Sequence, residues 1–117
     1  MAGLQAGTAS AIITPPVGVD LCGYAARPGP SVGVHDDLMA KALYLGAGGA
    51  ALALVTADLI GLSHEQAVGI RAKVAAETGI PADAVMITCS HTHSGPATPA
   101  IKYLGEVDAE WMAATEE

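Results

Sequence analysis

The sequence lacks phenylalanine altogether, and aromatic residues make up only 3% of its 117 positions. The interior must therefore be built from Ala, Val, Leu and Ile, and small side chains bury little area at about 25 cal/mol per Å². We expect a chain with such a core to be poorly stable by itself. Charged residues are also scarce, at 15%, but hydrophobic residues reach 51%, so the composition excludes a disordered chain.

Basic residues are few as well. Five Lys and Arg stand against twelve Asp and Glu, which gives a formal net charge of −7. A nucleic acid or an anionic membrane surface would need a basic patch, so the charge argues against both as partners. The longest apolar run, residues 50–62, is interrupted by Asp58 and is too short to span a bilayer.

Cysteine is limited to Cys22 and Cys89, which stand far apart without any paired spacing. This argues against a disulfide scaffold and favours a reducing compartment. The first ten residues have neither the basic region nor the apolar core of a signal peptide, so we expect a cytoplasmic location. The sequence does not determine the oligomeric state.

The first half of the chain predicts a strand, a long loop and a hairpin. Residues 9–16 favour a strand that two prolines end, and the glycine- and proline-rich residues 17–35 predict a surface loop. A glycine cluster at 46–49 lies between two apolar runs, which indicates a hairpin. The second run, residues 50–57, is almost wholly apolar and predicts a strand covered on both faces.

The second half predicts a helix, a strand and a last helix. Ser63 is placed to cap a helix with Gln66 three residues on, and Gly79 ends it. A buried strand at 84–88 follows, and the strand–helix–strand order implies a parallel pair joined by a right-handed crossover. A helix from about Asp108 runs to the last residue without a C-cap.

These elements predict an α/β fold with a mixed β-sheet core flanked by helices. We expect residues 1–117 to form a single partial domain, because the sheet edge is undefined and the chain ends inside a helix.

Two of the four histidines, His91 and His93, directly follow the predicted strand over residues 84–88. In α/β sheets, ligands gather at the C-terminal ends of parallel strands. If the backbone stays extended there, the two side chains point the same way about 6.6 Å apart. Two imidazoles so placed can share a metal ion, or one can bind the metal while the other contacts a substrate. A surface His-x-His without any role is the alternative.

Other polar residues are candidates for lining the same site. Thr92 and Ser94 can orient the rings, and Gly95 lets the backbone approach closely. Asp58 ends the other buried strand and could meet His91, although it could equally position a helix. His35 precedes a strand and could lie nearby, although a lone loop histidine is more often solvated.

Several motifs occur together in the order found in one enzyme family. SHTHSGP at 90–96, the segment 11–45 with its Thr-Pro-Pro, Gly-Tyr and Gly-Val-His, and ALVTADLIGLS at 53–63 resemble the N-terminal region of the neutral/alkaline, non-lysosomal ceramidases. The resemblance runs from about residue 7 to residue 105. It is nearest to the shorter bacterial relatives, because ATPAIKYLGEVD at 97–108 departs from the secreted ceramidases.

The resemblance implies a zinc amidase that hydrolyses the N-acyl bond of ceramide-like lipids, with Zn²⁺ as its cofactor and a small N-acyl amide or lipid as its substrate. It implies that His91 is a zinc ligand and that His93 is a catalytic contact to the substrate or intermediate. The family's other zinc ligands, a His, a Glu and a Tyr, come from sequence beyond residue 117. We therefore expect the N-terminal part of a larger catalytic domain, inactive by itself.

Two other functions stay open at this point. A metal hydrolase of the barrel type also uses His-x-His, but there the motif follows the first strand. A non-catalytic interaction fragment would instead use an exposed sheet edge to pair with another chain.

Overall fold

The computed structural model describes residues 3–98 and 105–115. Four strands form one sheet in chain order, namely β1 (Gln5–Ile12), β2 (Met39–Ala47), β3 (Ala50–Ala57) and β4 (Val85–Cys89). Two helices accompany the sheet, namely α1 (His64–Thr78) and α2 (Ala109–Thr115). The first three strands pair antiparallel and β4 pairs parallel to β3. The predicted α/β fold with a mixed sheet is confirmed.

The hairpin between β2 and β3 turns at Gly48 and Gly49, as the glycine cluster predicted. Both residues have positive φ angles, 59° and 86°, and Ala47 pairs with Ala50 across the turn. A two-residue turn with positive φ at both positions matches the right-handed twist of the flanking strands, and glycine adopts it without a steric penalty.

Helix α1 begins and ends where the sequence predicted. The hydroxyl of Ser63 accepts a hydrogen bond from the Gln66 N–H at 3.1 Å, and the Gln66 side chain accepts one from the Ser63 N–H at 2.8 Å. Gly79 ends the helix in the left-handed region at φ 75°. A short 3-10 turn at Ala82–Ala84 then leads into β4. This connection places β4 beside β3.

Two expectations about the strands are wrong. Strand β1 covers Gln5–Ile12 rather than residues 9–16, because antiparallel pairing with β2 extends it towards the N-terminus. Strand β3 is not covered on both faces by the described residues, since Leu52 is 44% exposed. Apolar composition alone did not distinguish a strand with one open face from a fully buried one.

The core is divided into small clusters rather than one large one. The cluster nearest the ends of β1 and β3 contains Ile13, Leu59 and Trp111. The Trp111 indole N–H donates to the Ile13 carbonyl at 3.2 Å, which holds α2 against the chain just after β1. A second cluster, of Ala53, Ile80 and Val85, lies between the sheet and the segment after α1.

Part of the predicted organisation lies outside the described residues. This applies to loop residues 99–104 and to the continuation of the last helix to Glu117. Within the described ranges, no helix has the length and apolar character needed to cross a membrane.

Candidate functional site

His91 lies two residues beyond the end of β4, in an unusual backbone conformation. Its φ is 59°, in the left-handed region that a non-glycine residue rarely adopts. The backbone is therefore not extended here, and the condition under which the two side chains would point the same way is not met. The His91 N–H donates to the Leu59 carbonyl at 3.0 Å, which ties the turn to the chain just after β3. Strained residues of this kind persist only where the surrounding structure holds them.

The ring of His91 is oriented by a second backbone contact. Its Nδ1 lies 2.7 Å from the Ile60 carbonyl oxygen. A carbonyl can only accept, so Nδ1 carries a proton, and in a neutral ring the lone pair is then on Nε2. Metal-binding histidines commonly have this arrangement, in which one ring nitrogen donates to a backbone carbonyl and the other binds the metal.

His93 stands close to His91 although the backbone between them is bent. The two ring centroids are 5.0 Å apart and the ring planes meet at 69°. His91 is exposed and His93 is half-buried. The structure therefore brings together the two histidines that the motif singled out. Their roles as metal ligand and substrate contact remain predictions.

A second segment, part of the predicted surface loop over residues 17–35, packs against the histidines. We call residues 20–27 the docking loop and residues 90–98 the histidine loop. Leu21 forms an isolated bridge with Pro96, and the Cys22 N–H donates to the Gly95 carbonyl at 3.0 Å. Cys22 is completely buried beneath this contact. The long loop after β1 is thus anchored to the site.

The docking loop brings three residues to His93 that the sequence analysis did not predict as site residues. The Tyr24 ring meets the His93 ring edge-on at 5.1 Å between centroids. Arg27 donates from Nη2 to the His93 carbonyl at 2.6 Å. A Cβ placed on Gly23 would lie 2.4 Å from the His93 ring. The signal that could have found them is the Gly-Tyr pair, where the glycine adopts a positive φ of 115°.

Asp58 lies at the same end of the sheet but uses its carboxylate on the backbone. Its Oδ2 accepts from the Met39 N–H at 3.0 Å, and its own N–H donates to the Met39 carbonyl at 2.9 Å. These bonds continue the pairing of β2 and β3 past the end of the strands. The position of Asp58 is therefore explained by the sheet, and its suggested meeting with His91 stays a prediction.

A cavity of about 480 Å³ lies beside the histidine loop, and four of the candidate lining residues border it. They are His35, Thr92, Ser94 and Gly95. Neither His91 nor His93 lines this cavity, so the space adjoins the histidine pair without containing it.

In the hydrogen bonds of the described residues, neither Thr92 nor Ser94 contacts an imidazole, and their suggested role in orienting the rings stays a prediction. The Thr92 hydroxyl accepts from the Ser94 N–H at 3.1 Å. The His35 side chain is 97% exposed and contacts its neighbour Asp36 at 2.6 Å. Gly95 is buried, and a Cβ there would lie 3.0 Å from the Thr92 methyl group. A site role for Gly95 stays a prediction.

The donor set for a metal ion is incomplete in the described part of the chain. Across residues 3–98 and 105–115, no three side chains of His, Cys, Asp or Glu come together in a group that could hold an ion. A catalytic zinc ion needs about three protein ligands. Metal binding by His91, with His93 next to it, stays a prediction.

The fold is similar to one part of a longer solved protein. The chain is similar to neutral ceramidase from Pseudomonas aeruginosa, with a TM-score of 0.73 and 26% identity, over 83% of this chain and 16% of that one. A ceramidase complexed with C2 matches with the same values. The chain therefore spans about a sixth of their length, and the relationship is one of fold. No protein-family model and no curated protein matches the sequence.

Proposed function

We propose that this chain is the N-terminal part of a ceramidase-like, zinc-dependent amidohydrolase. The observation that carries the proposal is the His91 ring, whose Nδ1–H is fixed on the Ile60 carbonyl at 2.7 Å, so that in the neutral ring the lone pair of Nε2 can bind a metal. Similarity of fold to neutral ceramidase supports the reaction class, an N-acyl amide hydrolysis. The substrate we propose is a ceramide-like lipid or a smaller N-acyl amide.

The residues present fit part of a zinc site. His91 would hold the ion through Nε2, and a neutral imidazole nitrogen is a good zinc ligand. When bound, zinc lowers the pKa of a coordinated water to about 7 and so supplies a hydroxide for attack on an amide carbonyl. The further ligands are expected from sequence outside these 117 residues.

His93 has a different part in the proposal. Its ring lies 5.0 Å from that of His91, close enough for both to face one reacting group. We assign His93 a hydrogen bond to the substrate carbonyl oxygen, where negative charge develops as the amide is attacked. Preorganised donors aimed at such an oxygen commonly contribute a factor of about 10² to 10³ in rate.

Zinc titration followed by NMR of the histidine rings tests the proposal. We expect zinc to shift the His91 ring signals first, with an affinity weaker than micromolar because most ligands are missing. Zinc held at His91 should also shift the ring signals of the adjacent His93, and His91→Gln should abolish that His93 shift. His64→Gln, which removes an exposed histidine at the start of α1, should leave both shifts unchanged. Equal zinc shifts in the His91→Gln protein would contradict the assignment.

Activity of the 117-residue chain provides a second check on the same proposal. We expect no turnover of an N-acyl substrate, since one ligand cannot hold a catalytic ion. Submicromolar zinc binding together with turnover would show that the site is complete within this chain. The proposal that the other zinc ligands lie outside these 117 residues would then be wrong.

The barrel-type alternative receives no support from the topology. In the described residues the motif follows β4, the fourth strand of a mixed sheet, and not the first strand. The interaction-fragment alternative is favoured by one feature, the outer strand β1, which is exposed along all eight residues. Size-exclusion chromatography distinguishes it from the enzyme proposal, because an edge that pairs with a second copy would give a dimer.

A further inference from the structure

We propose that Tyr24 and Arg27 are positioning residues for the His93 imidazole. Together they fix where the His93 ring stands relative to His91. The inference rests on the proposed function, because this placement matters for hydrolysis only if His93 contacts the substrate. Both residues come from the docking loop, more than sixty positions away from His93 in the sequence.

Tyr24 encloses one side of the His93 ring. The two rings meet edge-on, with centroids 5.1 Å apart and planes at 74°. The His91 ring lies 5.0 Å away at 69°. His93 therefore has an aromatic neighbour and a second imidazole around it, and edge-on contacts of this kind favour one ring orientation over others.

Arg27 holds the backbone of His93 and the ring of Tyr24 with one guanidinium group. Its Nη2 donates to the His93 carbonyl at 2.6 Å, and its Cζ lies 5.3 Å from the centroid of the Tyr24 ring. Hydrogen bonds from a charged donor are shorter and stronger than neutral ones. The Arg27 side chain thus links the peptide of His93 to the ring that packs against its imidazole.

The fit between the docking loop and His93 leaves no room for a side chain at Gly23. A Cβ at this position would lie 2.4 Å from His93 Cγ and 2.7 Å from His93 Cβ. The backbone of Gly23 is also in the left-handed region, at φ 115°. The His93 imidazole thus fills the space beside this glycine, in direct contact with the docking loop.

A histidine that contacts the reacting group needs a ring held in a fixed position, whereas a surface histidine without a role does not. A donor to a developing oxyanion is effective only when its position is fixed before the reaction. His93 lies two residues after His91, whose backbone is strained, and the chain between them is bent. We infer that this short segment alone does not fix the position of the His93 ring. The fixed position is supplied by contacts from the docking loop.

NMR of the metal-free 117-residue chain with labelled histidine and tyrosine tests the proposal. Nuclear Overhauser cross-peaks between ring protons report the His93–Tyr24 and His93–His91 proximities directly. We expect Arg27→Met and Tyr24→Leu to abolish the His93–His91 cross-peak. The conservative variants Arg27→Lys and Tyr24→Phe should retain it, because each keeps the donor or the ring. Arg71→Met, which removes an arginine from α1, is the matched control and should also retain it.

Persistence of the His93–His91 cross-peak in both Arg27→Met and Tyr24→Leu would overturn the proposal. If Arg27→Met unfolds the chain, the backbone amide spectrum will show it, and the contrast between Tyr24→Leu and Tyr24→Phe then decides. The zinc titration separates the two proposals. If the chain shows the expected cross-peaks but zinc does not shift the His91 signals, the positioning proposal stands and the proposed function is wrong.

Discussion

The outer strand β1 and the histidine end of the sheet are built in opposite ways. Strand β1 has regular pairing with β2 over its whole length, yet every one of its residues is exposed. At the histidine end, irregular loops carry the most deeply buried residues. Cys22 and Ala97 are completely buried, and Thr98 is 1% exposed. Of these two regions, the regular one is therefore exposed and the irregular one is buried.

This contrast shows where the site obtains its rigidity. The two histidines do not stand on a strand or helix but on a loop that begins where β4 ends. That loop is fixed by contacts to distant segments, namely the chain after β3 and the docking loop. Substitutions in these contacts should therefore cost more stability than substitutions in the regular strand β1.

The largest expected difference concerns Trp111, whose side chain packs on Ile13 and Leu59 and whose indole N–H donates to the Ile13 carbonyl. Trp111→Ala should lower the free energy of unfolding by about 3–5 kcal/mol, the usual cost of removing a buried aromatic ring. Ile12→Ala in β1, where the side chain is 64% exposed, should cost far less. Urea denaturation of both variants measures the contrast, and equal losses would remove the distinction between the two regions.

A smaller effect is expected at Thr98, the one buried polar side chain of the described residues. Its hydroxyl donates to the Gly61 carbonyl, which links the end of the histidine loop to the chain before α1. Thr98→Val keeps the shape but leaves that carbonyl unpaired, at a cost of about 1–3 kcal/mol. Thr8→Val on the exposed β1 is the control. If thermal or urea unfolding shows the same stability for both variants, the bond contributes nothing.

The smallest effect concerns the reactivity of the thiol of Cys89, the last residue of β4. Burial raises the pKa of the Cys89 thiol, because the charged thiolate loses solvation. Alkylation by iodoacetamide should therefore be slower than for a free cysteine at the same pH and should accelerate only at higher pH. Mass spectrometry of modified peptides measures it. Alkylation of Cys89 at the rate of an exposed thiol would contradict this.

The same shift has a consequence for stability. Because the pKa of the folded thiol is above that of the unfolded thiol, the folded state holds its proton more tightly. The contribution of Cys89 is fully present below the unfolded pKa, and it is lost as the pH rises through the folded one. Denaturation at increasing alkaline pH should show this decline, and the decline should be smaller in Cys89→Ala.

The elements that the sequence predicted correctly are those specified by neighbouring residues. The turn at Gly48 and Gly49 needs positive φ, and the capping box of Ser63 and Gln66 joins residues three apart. The parallel pairing of β3 and β4 follows from the strand–helix–strand order alone. Such features depend on local conformation or on connectivity, and a single sequence contains both.

The elements that the sequence did not predict depend on contacts between distant segments. The proximity of Tyr24 and Arg27 to His93 arises because the docking loop pairs with Pro96 and Gly95. No spacing in the sequence specifies that pairing. Likewise the extent of β1 follows from its pairing with β2, because most of the residues of β1 are small and have little strand preference.

The tautomer of His91 is the most direct test of the central claim, which is that this ring is fixed on the Ile60 carbonyl with its Nε2 free to bind a metal. Long-range ¹H–¹⁵N correlation spectra of the metal-free chain assign the proton to one ring nitrogen. We predict the Nδ1–H form for His91 near neutral pH. An Nε2–H form, or rapid exchange between both forms as in a solvated histidine, would contradict the account.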